Sequence, residues 1–236
     1  MVVLVDYDNV PELERNRGPV HVVTRIVDAL GTALAGAADI RFRLYGGWFQ
    51  GPTLSRRAQQ IAPVLQANFP RPLTLSPGVA PSPVTGRAEL ALALEAAPGK
   101  HLTHTYRDRS LPTNVRCAAL PYLNCRTPGA CPIAPVHNFL RDAQCPEAGC
   151  AVDVAAVLTK PEQKLVDTML TADLLHIART TGGAIGVVSA DDDIWPGIQT
   201  ALIYGAHIIH VHPIPGRTTP SHYATLATGQ YTQSSF

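Results

Sequence analysis

Lysine is almost missing from this chain: 3 lysines stand against 16 arginines in 236 residues, and only 16% of residues carry charge. The formal net charge is +1, so no bulk excess of either sign is available to hold a polyanion or an acidic partner. Any contact with nucleic acid must therefore come from a local site. Aromatic residues are scarce, at 6%. No apolar run approaches the roughly 20 residues that cross a bilayer. The opening MVVLVDYDNV has neither the basic stretch nor the small-residue cleavage site of a secretory leader, so a cytoplasmic location is expected. Cysteine is absent outside 117–150.

Enough is present to build a core. Apolar residues make up 46% of the chain, which excludes a disordered polypeptide and suits one sizeable domain with an insertion. The arginine bias and abundant alanine match GC-rich bacterial coding and carry no functional message. Val2 to Val5 is a continuous β-branched run, as in a strand buried on both faces. Val23, Ile26, Val27, Leu30 and Leu34 recur at helical spacing within 20–34. Ile40 to Tyr45 reads as a second strand, stopped by Gly46-Gly47. A helix is expected over 55–67, with Ser55 as its N-cap and Pro63 inside it. Residues 70–83 read as a proline-rich loop, and 89–94 and 102–106 as weaker strands.

Composition changes over 108–150. All five cysteines and six prolines lie there, with little periodicity, as in an insertion with its own internal tie. Beyond it, Thr159-x-x-Glu162 has the form of a capping box with Pro161 in the first turn, predicting a helix to about Thr180. A strand over 184–189, a helix over 193–204 stopped by Gly205, and a last strand over 207–211 follow. The tail beyond Pro213 is polar and poorly patterned. Strands alternating with helices predict a three-layer α/β fold, with a doubly wound, mostly parallel sheet.

Five of the twelve aspartates fall in two strings, Asp6-Tyr7-Asp8 and Asp191-Asp192-Asp193, each directly after a buried strand. Ligands of an open parallel sheet bind beyond the carboxyl ends of the strands. If the strands ending at Asp6 and at Ser189 are neighbours, their carboxylates converge and repel, and a hard divalent cation such as Mg²⁺ or Mn²⁺ relieves the repulsion. Helix capping by Asp191 to Asp193 is the plainer alternative. On the helix before the second string, Asp173 falls inside the apolar face of Val166, Met169, Leu170, Leu174 and Ile177. Asp167 lies on its edge near the start. The two are about 240° apart and cannot serve one ion, and Asp167 is nearer the strand ends. Asp173 is either a hydrogen-bonded support for the site or a satisfied buried acid.

The stretches VLVDYDN, KLVDTMLTADLLHIA and GVVSADDDIWPGIQTALIYGAHII together resemble the NYN branch of the PIN-like nucleases. Matched by position are Asp6 and Asn9; Lys164, Asp167 and Asp173; and Ser189, Asp191, Asp193 and Pro196. Ala190 replaces that family's usual Gly, and Ile194-Trp195 its Phe-x; the cysteine-rich insertion is not one of its general features. The resemblance implies a PIN/NYN-like fold and a metal-dependent endoribonuclease. Asp6, Asp167 and Asp191 would hold Mg²⁺ or Mn²⁺. Asp193 would hold a second cation or orient water, with Asn9, Ser189, Asp173 and Asp192 supporting them. RNA is the implied partner.

Two other readings compete. Asp6-x-Asp8 also fits the haloacid dehalogenase phosphatases, with Lys160 or Lys164 as their lysine. Against this, Asn9 stands where Gly or Thr is usual, and no strand ends in the required Ser or Thr. A non-catalytic RNA-binding or partner-binding module on the same fold is the third reading.

Trp48, after the second strand, is a candidate for stacking on a base, against half-buried packing. Arg56 and Arg57, or Arg15 and Arg17, are candidates for holding phosphates, against a solvated face. His207, His210 and His212 read as structural or exposed. In the insertion, Cys125, Cys131, Cys145 and Cys150 form two close pairs separated by a loop, as a structural zinc site needs, with His137 or Cys117 as substitute ligand. Free thiols and disulfides are the alternatives, although an odd number of cysteines cannot all pair within one chain. The insertion would then offer a lobe for substrate, a partner protein or a second copy.

Overall fold

A computed structural model describes residues 1–75, 84–110, 126, 130–163, 165–218 and 230–236. Two compact units divide the chain: Met1–Tyr106 with Gln163–Phe236, and Arg107–Glu162.

The first unit carries the larger sheet. In chain order its elements are β1 (Val2–Asp6), α1 (Glu12–Arg15), α2 (Pro19–Leu30), β2 (Asp39–Tyr45), β3 (Phe49–Gln50), β4 (Thr53–Leu54), α3 (Arg56–Asn68), β5 (Arg71–Leu73) and β6 (Val84–Leu90). The chain then runs through β7 (Tyr106–Ser110) into the second unit. That unit contains α4 (Ala134–Asp142), α5 (Val154–Val157) and most of β8 (Thr159–Gln163). The first unit resumes with α6 (Val166–Thr180), β9 (Ala184–Val188), α7 (Trp195–Ile203), β10 (His207–His212) and β11 (Tyr231–Ser235). Among the described residues, seven strands form the main sheet in the order β11-β10-β9-β1-β2-β6-β5. Every pairing is parallel except that of β5 with β6.

Alternation along β1 explains the three layers. Val3 and Val5 pack with α2 and α3 on one face, through Val22, Val23, Ile26, Ala58 and Ile61. Leu4 packs on the other face with α6 and α7, through Leu170, Leu174, Ile177 and Ile198. A strand covered on both sides has no room for polar alternation, which is why β1 and β9 read as unbroken apolar runs. The winding proceeds outward from β1 through β2 to β6. It returns to the opposite side of β1 at β9, so the crevice at the reversal lies beside the carboxyl end of β1. Among the described residues, no helix is long and apolar enough to cross a membrane.

Ser55 caps α3 as expected, its hydroxyl accepting from the Ala58 N–H at 3.2 Å, and exposed Pro63 is accommodated within the helix. Five expectations need correction. The capping box at Thr159 and Glu162 does not start a helix: 159–163 is extended, and α6 begins at Val166 after Leu165 at φ 69°, without a side-chain cap. A cap contributes about 1 kcal/mol, and burial of Val166, Met169 and Leu170 outweighs it. The strand expected over 89–94 lies at Val84–Leu90, and that expected over 102–106 at Tyr106–Ser110. The tail is not all irregular, because β11 adds to β10 by backbone pairing. The proline-rich loop expected over 70–83 contains β5, and its residues 76–83 lie outside the described residues.

In the second unit, Asp153 caps α5, its carboxylate accepting from the Ala156 N–H at 2.6 Å. Cys131 is buried there, Cys145 and Cys150 are half-buried, and all three are free thiols. Cys117 and Cys125, like Lys164 of the first unit, lie outside the described residues.

Candidate active site

Parallel pairing of β1 with β9 sets Val5 opposite Val188, so Asp6 and Ser189 leave adjacent strands side by side. The turn after β1 closes through the Asn9 N–H donating to the Asp6 carbonyl at 3.2 Å. That turn brings the Asn9 side-chain amide onto Asp6 Oδ2. Ser189 donates to the same carboxylate oxygen at 3.0 Å. It accepts in turn from the Asp191 N–H at 3.0 Å and the Asn9 amide at 3.3 Å. Asp6 is 1% exposed. Burial, added to by the charges of Asp167 and Asp8, outweighs the hydrogen bonds from Asn9 and Ser189 and pushes the Asp6 carboxyl up to about 6.

Asp167 sits in the first turn of α6. Its carboxyl is also raised, first by lost hydration and then by the charges of Asp191, Asp193 and Asp8. Asp191 is the N-cap of a short 3₁₀ turn at Asp192–Ile194, its Oδ1 accepting from the Asp193 N–H at 3.0 Å. Capping and clustering therefore coexist. Asp192 and Asp193 are exposed. The structure thus gathers Asp6, Asp8, Asp167, Asp191 and Asp193, with the charges of Asp167 and Asp8 adding to the rise of Asp6 and those of Asp191, Asp193 and Asp8 to the rise of Asp167. Among the described residues, no three His, Cys, Asp or Glu side chains are grouped tightly enough to hold a metal ion as they stand.

The nuclease reading of the sequence gave Asp8 no role. Its Oδ2 accepts from the Gly47 N–H at 2.8 Å, and its Oδ1 receives Arg57 and lies 3.5 Å from an Arg15 nitrogen. The tight turn at Gly46 permits this, since a Cβ there would lie 2.8 Å from Trp48 and 2.9 Å from Asp8 Oδ2. The Asp-x-Asp string was the available signal, but Arg15 and Arg57 are brought to it only by the fold.

Trp48 is not a stacking platform. It is 1% exposed, and its indole N–H donates to the Leu44 carbonyl at 2.7 Å. The connection from β2 folds the ring under Tyr7, at 5.8 Å between centroids. Asp173 does not join the aspartate cluster. Its carboxylate accepts from the Tyr45 hydroxyl at 2.6 Å, the Glu95 N–H at 2.7 Å and Arg43 at 3.2 Å, making it a satisfied buried acid. His210 is buried and pushed down to about 4 by burial. Its Nε2 lies 3.1 Å from the Ser189 carbonyl, and its Nδ1 lies 3.0 Å from the Tyr231 hydroxyl. A neutral ring donating from Nε2 braces the residue that carries the Asp6 contact.

Comparison of the chain with protein-family models, with curated proteins and with solved structures returned no match.

Proposed function

We propose that this chain is a metal-dependent endoribonuclease of the NYN/PIN-like kind. The observation that carries the reading is the meeting of carboxylates from β1, the β9 turn and the start of α6 at the reversal of strand order. The donor set is oxygen alone, and Asp6 is raised to about 6 by burial, with the charges of Asp167 and Asp8 adding to it. Both features suit a hard divalent cation, Mg²⁺ or Mn²⁺. Asp6, Asp167 and Asp191 would hold it.

When bound, such an ion polarises a phosphoryl oxygen and lowers the pKa of water for in-line attack. Asn9 and Ser189 hold the Asp6 carboxylate in place by donating to one of its oxygens. Asp191 is held by the Asp193 N–H and by its own N–H on Ser189, and Ser189 in turn reaches Asp6, so hydrogen bonds link the two strings. Exposed Asp193 stands where it can accept a proton from water or support a second cation.

The phosphatase reading needs Asp8 as a proton donor. Asp8 instead has both oxygens engaged, accepting from the Gly47 N–H and meeting Arg15 and Arg57. A non-catalytic RNA-binding module remains the outcome if no cleavage occurs. The test is incubation of the full chain with labelled single-stranded and structured RNA, with Mg²⁺, with Mn²⁺ and with EDTA. Cleavage that needs the cation and disappears in Asp191→Asn supports the assignment; full cleavage by pure Asp191→Asn refutes it.

A further inference from the structure

Beside the turn after β1 lies a pocket of about 540 Å³, lined by Tyr7, Arg15, Asn16, Arg56, Arg57 and Gln60. The first turns of two helices open onto it: Pro19 begins α2, and Arg56 and Arg57 begin α3. Helix starts present unsatisfied N–H groups and partial positive charge, so they favour anions. Glu12 is the one acid among the lining residues, against three arginines.

Two of these arginines are held in place. Arg57 reaches Asp8 and lies 5.0 Å from the Tyr7 ring centroid and 5.8 Å from that of Trp48. Arg15 also approaches Asp8. With those contacts made, Arg57 Nη2 and Arg15 Nε are still buried with no hydrogen-bond partner among the described residues. Buried guanidinium donors without an acceptor are rare in folded proteins, and a tetrahedral oxyanion is the ligand their fork geometry matches. Arg56 and Arg57 also line a second pocket, of about 270 Å³, together with Asp8 and Gly47. The cationic surface therefore passes from one pocket to the other beside Asp8, two residues from Asp6.

We propose that the Arg15, Arg56 and Arg57 pocket is a phosphate subsite that holds the backbone of a polynucleotide beside the carboxylate cluster, with Asp8 as the positioning residue for Arg15 and Arg57. This rests on the nuclease reading for its ligand. The pocket is larger than a bare phosphate needs, which suits a phosphate still joined to nucleosides.

The experiment uses the full chain in EDTA, so that cleavage is never read. Inorganic phosphate is the first probe, followed by thermal unfolding of wild type, Arg15→Gln and Arg56→Gln. Melting without phosphate verifies that each variant folds, and exposed Arg56 can be changed with little risk to the core. Phosphate raises the melting temperature of wild type and raises that of each variant less. The second probe is a fluorescent single-stranded oligoribonucleotide titrated at several salt concentrations. Each substitution weakens its binding and lowers the slope of log K against log salt by about 0.7. A phosphate response that is absent, or equal in all three proteins, overturns the proposal. So does a salt slope that neither substitution changes. Phosphate and RNA binding as expected, without cleavage when Mg²⁺ is restored, keeps the subsite and removes only the nuclease reading.

Discussion

The Ser189 hydroxyl donates to Asp6 Oδ2 at 3.0 Å, joining residues 183 positions apart in the chain. The same hydroxyl accepts from the Asp191 N–H and the Asn9 amide, so one side chain ties the β1 turn to the β9 turn. Ser189 is completely buried, and water cannot replace it.

Ser189→Ala removes a donor from Asp6 and orphans the Asp191 N–H. Stability at neutral pH falls by about 1–2 kcal/mol in urea denaturation. Metal-dependent RNA cleavage falls by roughly tenfold or more, as for the loss of groups that orient metal ligands. Unchanged cleavage would show that this tie does not position the site.

Asp6→Asn and Asp191→Asn abolish cleavage while the protein stays folded. Removing a charge from an uncompensated cluster relieves repulsion, so neither variant is less stable than wild type at pH 8 in EDTA. Mg²⁺ raises the melting temperature of wild type and leaves that of Asp191→Asn unmoved, because stabilisation follows binding to the folded state. Calorimetric melts with and without the ion measure both effects.

Asp6 and His210 make opposite contributions to the pH dependence of stability. Asp6 is raised from 3.8 to about 6, so the folded state binds its proton more tightly; that stabilisation is complete below pH 4 and is lost as pH rises to 6. His210 is lowered from 6.5 to about 4, so its contribution is present above pH 6.5 and is lost as pH falls to 4. Each amounts to about 3 kcal/mol. Relative to wild type, Asp6→Asn therefore gains stability as pH rises from 4 to 6, and His210→Gln gains as pH falls from 6.5 to 4. Urea denaturation in EDTA across this range checks the two slopes, and a slope of the opposite sign in either variant would contradict that residue's assignment.

Asp173→Ala leaves the Tyr45 hydroxyl and the Glu95 N–H without their acceptor, while Arg43 keeps Glu89, Glu95 and the Ala93 carbonyl, and costs about 1–3 kcal/mol. Cleavage per folded molecule stays at the wild-type level, since Asp173 touches none of the clustered aspartates. Trp48→Phe loses the hydrogen bond to the Leu44 carbonyl and some packing, for about 1–3 kcal/mol, without altering RNA affinity. Denaturation and binding titrations on the same samples separate stability from function. A large loss of RNA affinity in folded Trp48→Phe would restore Trp48 to the binding surface.

Elements whose burial is periodic were legible one by one. The unbroken run at Val2–Val5, the 3.6-residue rhythm of α2 and α6, and the Ser55 cap each state locally which side meets the core. β11 was not legible, because Tyr231–Ser235 joins an edge mainly through backbone hydrogen bonds that any sequence can make. The start of α6 was misplaced because a short polar pattern is worth less than the burial of Val166 and Leu170.

The aspartate strings and the strands before them are properties of the sequence, and the doubly wound rule alone places both strings at one edge of a parallel sheet. Tertiary structure decided the rest. Asp173 turned to Arg43 and Tyr45 on β2, while Asp167 stayed within range of Asp191. Trp48 folded inward, and Asp8 met arginines 7 and 49 residues away. Local pattern records whether a side chain faces the core. Which partner it meets there depends on strand register and on the path of the connections, and both are set by packing between segments remote in the chain.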